Sequence, residues 1–301
     1  NNSFLCASLI MGQSNIAAGA TIGSNHNSRS ADGEIIAGRG FWPGLCVSLK
    51  HNSKFASFTI IAKGDYANEL NIPLPFSLVI NDYSKDRLIV MPAYWFMYNM
   101  YALARNAKKY EDRDKRTYKF QQIEFDFLAP DTINEMFNAL QLFDKIKVNA
   151  IGEAEVSGWE NSKRKTIITK VPQAKDIYTQ MIQLYAANAL ISFCQSNDIK
   201  SFEQLKSSVK IPKKRSSCHN VGGQLICHED LEKLKTDIKK NKLKGVAIVD
   251  LRTNAITKIT FFINSIINVK TETIFGSFNN EKSWFPVSQN ILVTKGKGKQ
   301  N

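Results

Sequence analysis

No stretch of this chain is long and apolar enough to cross a bilayer. The longest uncharged run, Leu88–Ala104, holds Pro92, Asn99 and three tyrosines, and it falls short of the roughly 20 apolar residues a membrane helix needs. It reads instead as a buried helix, and no membrane partner is expected. The opening NNSFLCASLI lacks a basic segment followed by a long apolar core, which argues against a signal peptide. Cysteines number 5 among 301 residues. An odd, scattered set makes no disulfide framework and implies reduced thiols in the cytoplasm. No glycine-rich loop sits between a strand and a helix to cradle phosphate, and no serine-nucleophile motif occurs. The chain does not open on Met, so a piece of a longer protein is expected.

Acidic charge is also in short supply. Lys and Arg number 40 against 27 Asp and Glu, a net charge of +13. The densest patches are 108–116, 210–215, 233–244 and 295–299. None interleaves arginine with aromatics, and lysine dominates the later ones. Solvated helix faces account for them, and nucleic acid is not an expected partner. An apolar content of 43% leaves ample material for a core.

What the sequence does have is a repeat. Phe4, Ile10, Ile16 and Ile22 recur at six-residue intervals, with Ser8, Ser14 and Ala20 four positions after the first three. An apolar residue at i and a small one at i+4 is the rule of the left-handed parallel β-helix, in which three hexapeptides make one triangular coil. His26 occupies the next small slot and is too large for it, so the chain leaves the coil there. The stretch 27–34, NSRSADGE, has loop composition. Ile36 restarts the pattern, followed by Trp42 and its i+4 partner Cys46, and the register then decays through Ser48 and Lys54. Residues 36–80 read as further coils, about four in all, closing at NIPLPFSLVIND.

Beyond residue 90 the period becomes helical. Tyr94–Lys109 is expected to be a helix. Thr132 and Glu135 form a capping-box spacing that opens a helix whose Ile133, Met136, Phe137, Leu140 and Phe143 share one side. Lys175–Phe193 is a third helix, and Ser201 and His228 precede shorter ones. Lys165–Lys170 and 246–275 read less clearly. The expected fold is mixed β and α: a left-handed parallel β-helix over 1–85, then a mainly α-helical domain with some strand over 86–301.

Several stretches resemble an uncharacterised bacterial domain-of-unknown-function family of the trimeric LpxA-like, hexapeptide-repeat group. They are GSNHNSRSADGEI (23–35), GRGFWPGLCVSLKHNSKFASFTIIAKGDY (38–66), NIPLPFSLV (71–79), MPAYWFMYNMYALARNAKKYEDRDKR (91–116), FDFLAPDT (125–132), ENSKRK (160–165) and VGGQLI (221–226). The resemblance implies a β-helix with a helical C-terminal region, a homotrimer, and no established activity.

Two of the four histidines lie in matching contexts, His26 in HNSR and His51 in HNSK. Hexapeptide acyltransferases use a coil histidine as general base, and imidazole suits that task near neutral pH. His26 and His51 are therefore the candidate catalytic residues. Asn25, Asn27, Ser28, Asp32 and Asn52 would orient ring or substrate. Arg29, Arg39, Lys50 and Lys54 would hold the phosphates of coenzyme A or of a nucleotide sugar. The competing expectation is a scaffold whose coils serve oligomerisation alone, with these residues as ordinary turn formers. The pairs Cys218-His219 and Cys227-His228 invite a zinc reading. Neighbours in an extended segment point opposite ways, however, and the spacing fits no standard module, so no metal is assigned.

Overall fold

The computed structural model describes residues 3–23, 33–119, 123–209 and 215–240. The first β-strands are short: β1 (Phe4–Cys6), β2 (Ser8–Ile10), β3 (Thr21–Gly23), β4 (Ile35–Ala37), β5 (Trp42–Pro43) and β6 (Ser48–Leu49). They continue with β7 (Lys54–Phe55), β8 (Ile60–Ile61), β9 (Asp65–Tyr66), β10 (Asn71–Ile72) and β11 (Leu78–Asp82). They fall into three sheets, visited in turn. The first is ordered β1-β3-β6-β9, the second β2-β4-β7-β10, and the third contains β5-β8-β11, all parallel within these strands. Phe4 pairs with Thr21, Ser48 with Asp65, Lys54 with Asn71 and Ile60 with Leu78. Each return to a given sheet thus takes the length of three hexapeptides, to within a single position.

One step is longer. Thr21 pairs with Ser48, and Ser8 with Ile35, which stretches the return by half. The extra length lies between Gly23 and Ile35, where the equivalent link between β1 and β2 is Ala7 alone. The sequence places an insertion at the histidine-bearing stretch, and the register bears out its place in the chain.

The frame also differs from the sequence reading, and already before the insertion Leu5, not Phe4, stands opposite buried Ile22. Ile22, Ile35, Ala37, Phe41, Val47, Leu49, Phe55 and Ile61 are all buried, and Pro43 is with them. Ile36, Trp42, Ser48 and Ile60 are half-buried, and Lys54 is exposed. The six-residue rule thus runs through Ala37, Pro43, Leu49, Phe55 and Ile61, one position later than the sequence reading places it. In a strand, a shift of one exchanges the two faces. The decaying register of the sequence is the outward-facing set.

Left-handed backbone marks one corner of successive circuits. Gly40, Phe58 and Phe76 have φ of 69°, 56° and 55°. A Cβ on Gly40 would lie 2.2 Å from the Phe58 ring, so only glycine fits there. Each phenylalanine in that region costs about 1–2 kcal/mol of backbone strain. The two rings stack with centroids 4.8 Å apart, the spacing of adjacent strands, and their burial offsets the strain.

The third sheet grows past these circuits. β11 turns back antiparallel into β12 (Arg87–Met91), and β12 pairs parallel with a later strand, Lys165–Ile168. That strand is β14, and it pairs antiparallel with β13 (Ala154–Val156). The run Leu88–Ala104 is therefore not one buried helix. It begins as strand β12, turns at Pro92-Ala93, and continues as α1 (Tyr94–Tyr98) and α2 (Met100–Arg113), broken at Asn99. The branched run Leu88-Ile89-Val90 favours the strand, and the proline ends it. Buried Trp95 donates its Nε1–H to the Phe58 carbonyl at 2.7 Å, and Tyr178 donates to the Pro75 carbonyl at 2.5 Å.

Helix α3 spans Pro130–Phe143, with proline at its first position. Its start lies earlier than the capping-box spacing suggests: Ala129 is the N-cap, and Thr132 Oγ1 accepts from the Ala129 N–H at 3.1 Å. Glu135 has other partners, described below. Next come α4 (Val171–Ser196), α5 (Phe202–Ser208), the hairpin β15 (Cys218–Val221) and β16 (Gln224–Cys227), and α6 (His228–Lys239). Ser201 caps α5 reciprocally with Gln204. The stretch 246–275 lies outside the described residues.

The protein is thus a mixed α/β structure with several parallel sheets and, among the described residues, six α-helices. It divides into two compact units. The first holds residues up to Tyr185 and the segment from Ser216, and the second includes Ala186–Arg215. In the second, Phe193 and Leu205 pack with Leu190, Cys194, Ile199 and Val209. Among the described residues, no helix is long and apolar enough to cross a membrane.

Candidate functional site

Lys50, His51, Asn52 and Lys54 stand at one edge of the sheets, where the chain passes from the first sheet to the second. Four links make that passage: Ala7 alone, then 24–34, then Lys50–Ser53, then Ala67–Leu70. Because β3 pairs with β6 and β4 with β7, the link that bears His26 springs from the circuit next to the one that bears His51. Asn25, His26, Asn27, Ser28, Arg29 and Asp32 themselves lie outside the described residues.

The rest of the edge is built tightly. The Asn52 N–H donates to the Gly33 carbonyl at 3.4 Å, and a Cβ on Gly33 would lie 1.6 Å from Asn52 Oδ1. The insertion thus returns against Asn52 through a residue with no side chain. Asn52 is exposed with φ of 63°, a conformation its short amide tolerates. Ser53 is fully buried, donates to the Lys50 carbonyl at 2.7 Å, and accepts from the Leu70 N–H at 3.0 Å. His51 is 8% exposed. Lys50 is half-buried, and Lys54 projects outward from β7.

Next along the edge stands Glu69. Asn161 donates its side-chain amide to Glu69 Oε2 at 2.9 Å and its backbone N–H to the Glu69 carbonyl at 2.9 Å. The side-chain bond, with the charge of Lys50 adding to it, holds the carboxyl below its ordinary range. Beyond it, buried Glu160 takes a two-pronged grip from Arg164, at 2.5 Å on each oxygen. The Arg164 Nη1 reaches Asn81 at 2.7 Å. Neither Glu69 nor this Glu160–Arg164 pair is a sequence candidate. ENSKRK contributes to the resemblance, but nothing in its spacing places it at this edge.

Arg39 lies elsewhere. It is fully buried, gripping Asp131 at the start of α3 through Nε and Nη2 at 2.6 and 2.8 Å. Its Nη1 donates to Gln13 Oε1 at 2.6 Å and to the Asp126 carbonyl at 2.9 Å. Burial alone would lower the guanidinium pKa, but the bond and charge of Asp131 raise it overall. Close by, Glu135 accepts from the Ser57 N–H at 3.0 Å and the Ser57 hydroxyl at 3.2 Å. Burial, then the neighbouring Asp131, pushes its carboxyl up to about 8. This network fastens α3 to the sheets and offers Arg39 no path to a phosphate in solvent.

At the far hairpin the four metal-like residues divide as strand geometry requires. Cys218 faces Cys227, while His219 Nε2 meets His228 Nδ1 at 3.0 Å on the other side. Among the described residues no group of three or more His, Cys, Asp or Glu is placed to hold a metal ion.

Comparison with known proteins agrees with the resemblance at the level of family alone. No solved structure matches the chain. It is 44% identical over 274 residues, 81% of its own length, to an uncharacterised protein of Treponema pallidum (strain Nichols), of which it spans 37%. Residues 20–147 match a family described as a domain of unknown function, DUF4954, and with that relative the match supports an uncharacterised bacterial domain-of-unknown-function family.

Proposed function

We propose that the three sheets are the faces of a left-handed parallel β-helix of the LpxA-like kind, assembled as a cytoplasmic homotrimer. We propose further that it is transferase-like, binding a coenzyme A thioester or a nucleotide sugar at the edge bearing His26 and His51. One observation carries the reading: the insertion containing His26 lies between β3 and β4, whose neighbours β6 and β7 flank the link bearing His51. The even return to each sheet, from Lys54 to Asn71 and from Ile60 to Leu78, supports a coil of three hexapeptides.

For an acyl donor, a neutral imidazole takes the proton of an acceptor hydroxyl or amine. The freed lone pair attacks the thioester carbonyl, the C–S bond breaks, and the departing thiolate recovers the proton from the imidazolium. Arg29, Lys50 and Lys54 supply positive charge for donor phosphates. Arg39 has no part in this, being committed to Asp131. Asn25, Asn27, Ser28, Asp32 and Asn52 orient the acceptor.

The insertion allows a clean test. Removing 24–32 leaves Ala37 one hexapeptide after Ile22, the spacing of the inward positions. The shortened chain is expected to fold. Thermal-shift measurements with acetyl-coenzyme A and with UDP-N-acetylglucosamine should show one of them stabilising the full chain. Neither should stabilise the shortened chain, and His51→Asn should weaken the effect. A well-folded trimer that neither compound stabilises would favour the scaffold reading. That second reading rests on Leu5 and Leu9, which are 52% and 50% exposed on edge strands β1 and β2.

A further inference from the structure

The hairpin after residue 215 brings two cysteines face to face. Gly222 and Gly223 form its two-residue turn, with φ of 62° and 89°, as a type I′ turn requires. Counting back from the turn, Val221 opposes Gln224, Asn220 opposes Leu225, His219 opposes Ile226 and Cys218 opposes Cys227. One step further out, the His228 N–H donates to the Ser217 carbonyl at 2.9 Å. Hydrogen-bonded and open pairs alternate along an antiparallel ladder, so Cys218 and Cys227 form an open pair. In such pairs the Cα atoms lie about 4.5 Å apart and the side chains stand close on one face. A disulfide accepts Cα separations of about 4.4–6.8 Å. The structure carries both residues as thiols, Cys218 half-buried and Cys227 buried.

We propose that Cys218 and Cys227 are a dithiol–disulfide pair, a redox modification site oxidised by a low-molecular-weight disulfide. The more accessible Cys218 thiolate attacks one sulfur of the small disulfide, which releases the first small thiol and leaves a mixed disulfide on Cys218. The Cys227 thiolate then attacks the Cys218 sulfur, the mixed bond breaks, and the second small thiol departs. The protein loses two electrons and two protons, and the small disulfide becomes two thiols. His219 and His228, on the opposite face, take no part in the bond.

The position gives the link a structural consequence. At the tip of the hairpin the Gly223 carbonyl accepts from the Glu124 N–H at 2.9 Å. At its base the Ser216 carbonyl accepts from Asn134 Nδ2 of α3 at 3.1 Å. Oxidation staples the two strands between these anchors, so the brace on α3 becomes a single stiff piece.

The test treats the full chain with oxidised glutathione, quenches with acid, unfolds, alkylates with iodoacetamide and maps the adducts by mass spectrometry. Cys218 and Cys227 should lose their alkyl adducts together, with a linked peptide that dithiothreitol reverses, while Cys194 stays alkylated. In Cys218→Ser, checked by circular dichroism for a native spectrum, Cys227 should stay alkylated. Persistent glutathione on Cys218 with Cys227 still alkylated would overturn the proposal, as would full alkylation of both cysteines in a folded protein.

Discussion

At the scale of single residues, charge decides where a side chain works. The sequence offers Arg39, with Arg29, Lys50 and Lys54, as positive charge for the phosphates of a donor. The fold instead gives it Asp131, Gln13 and a backbone carbonyl. A partner that far along the chain leaves no mark in local spacing. Glu135 is the complementary case: its spacing from Thr132 suggests a cap, yet its partner is Ser57. Its carboxyl rises from 4.5 to about 8, and it feels the charges of Asp131 and Arg39. Between those values the folded protein keeps a proton that the unfolded chain has released. Stability from this group is therefore complete at acid pH and falls as pH rises through that window. Chemical unfolding at about pH 5 and about pH 8 should show the wild type losing stability between them. Glu135→Gln should lose clearly less, and equal losses in the two proteins would mean the carboxyl does not titrate as described.

At the scale of elements, the period was legible and the phase was not. Six-residue spacing from Phe4 to Ile22 names the repeat because it matches neither helix nor simple alternation. After the insertion, outward residues Ile36, Trp42 and Ile60 are as apolar as inward ones, since Trp42 packs on Trp95 with centroids 5.6 Å apart. Hydrophobicity alone then gives no vote between the two faces. The same ambiguity makes strand β12 read as part of a helix, in a run whose local arbiters are only Ile89-Val90 and Pro92. Phase is testable with one charge moved by one position. Leu49→Asp places an unpaired carboxylate in the core and should cost about 3–5 kcal/mol. Ser48→Asp, pointing outward beside Asp65, should cost no more than about 1 kcal/mol. Similar losses in both, measured by chemical unfolding, would return the register to the sequence reading. At the candidate edge, the histidines were visible as a motif. Asn161 and the Glu160–Arg164 clamp were not, because they reach it from a distant segment, and Glu69 gains its place only through Asn161.

At the scale of the whole molecule, the uniform return distance governs how the chain gains and loses order. Most ladder contacts among the first eleven strands close loops of nearly equal length, so each circuit can add to its neighbour by the same short search. The step across the insertion, from Thr21 to Ser48, is the exception. By the logarithmic law of loop closure it costs only about 0.4 kcal/mol more than the others, too little to matter alone. The larger effect is at the sheet ends: among the described residues β1, β2, β9 and β10 have a strand on one flank only, and β1 and β2 also leave Leu5 and Leu9 in solvent. Amide hydrogen exchange should therefore be fastest across β1–β3, slower in β4–β7, and slowest around Phe58, Phe76 and Trp95. Uniform protection from β1 to β11 would refute that gradient. Where the gradient holds, the aromatic corner is the last part of these sheets to open, and β1–β3 are the first.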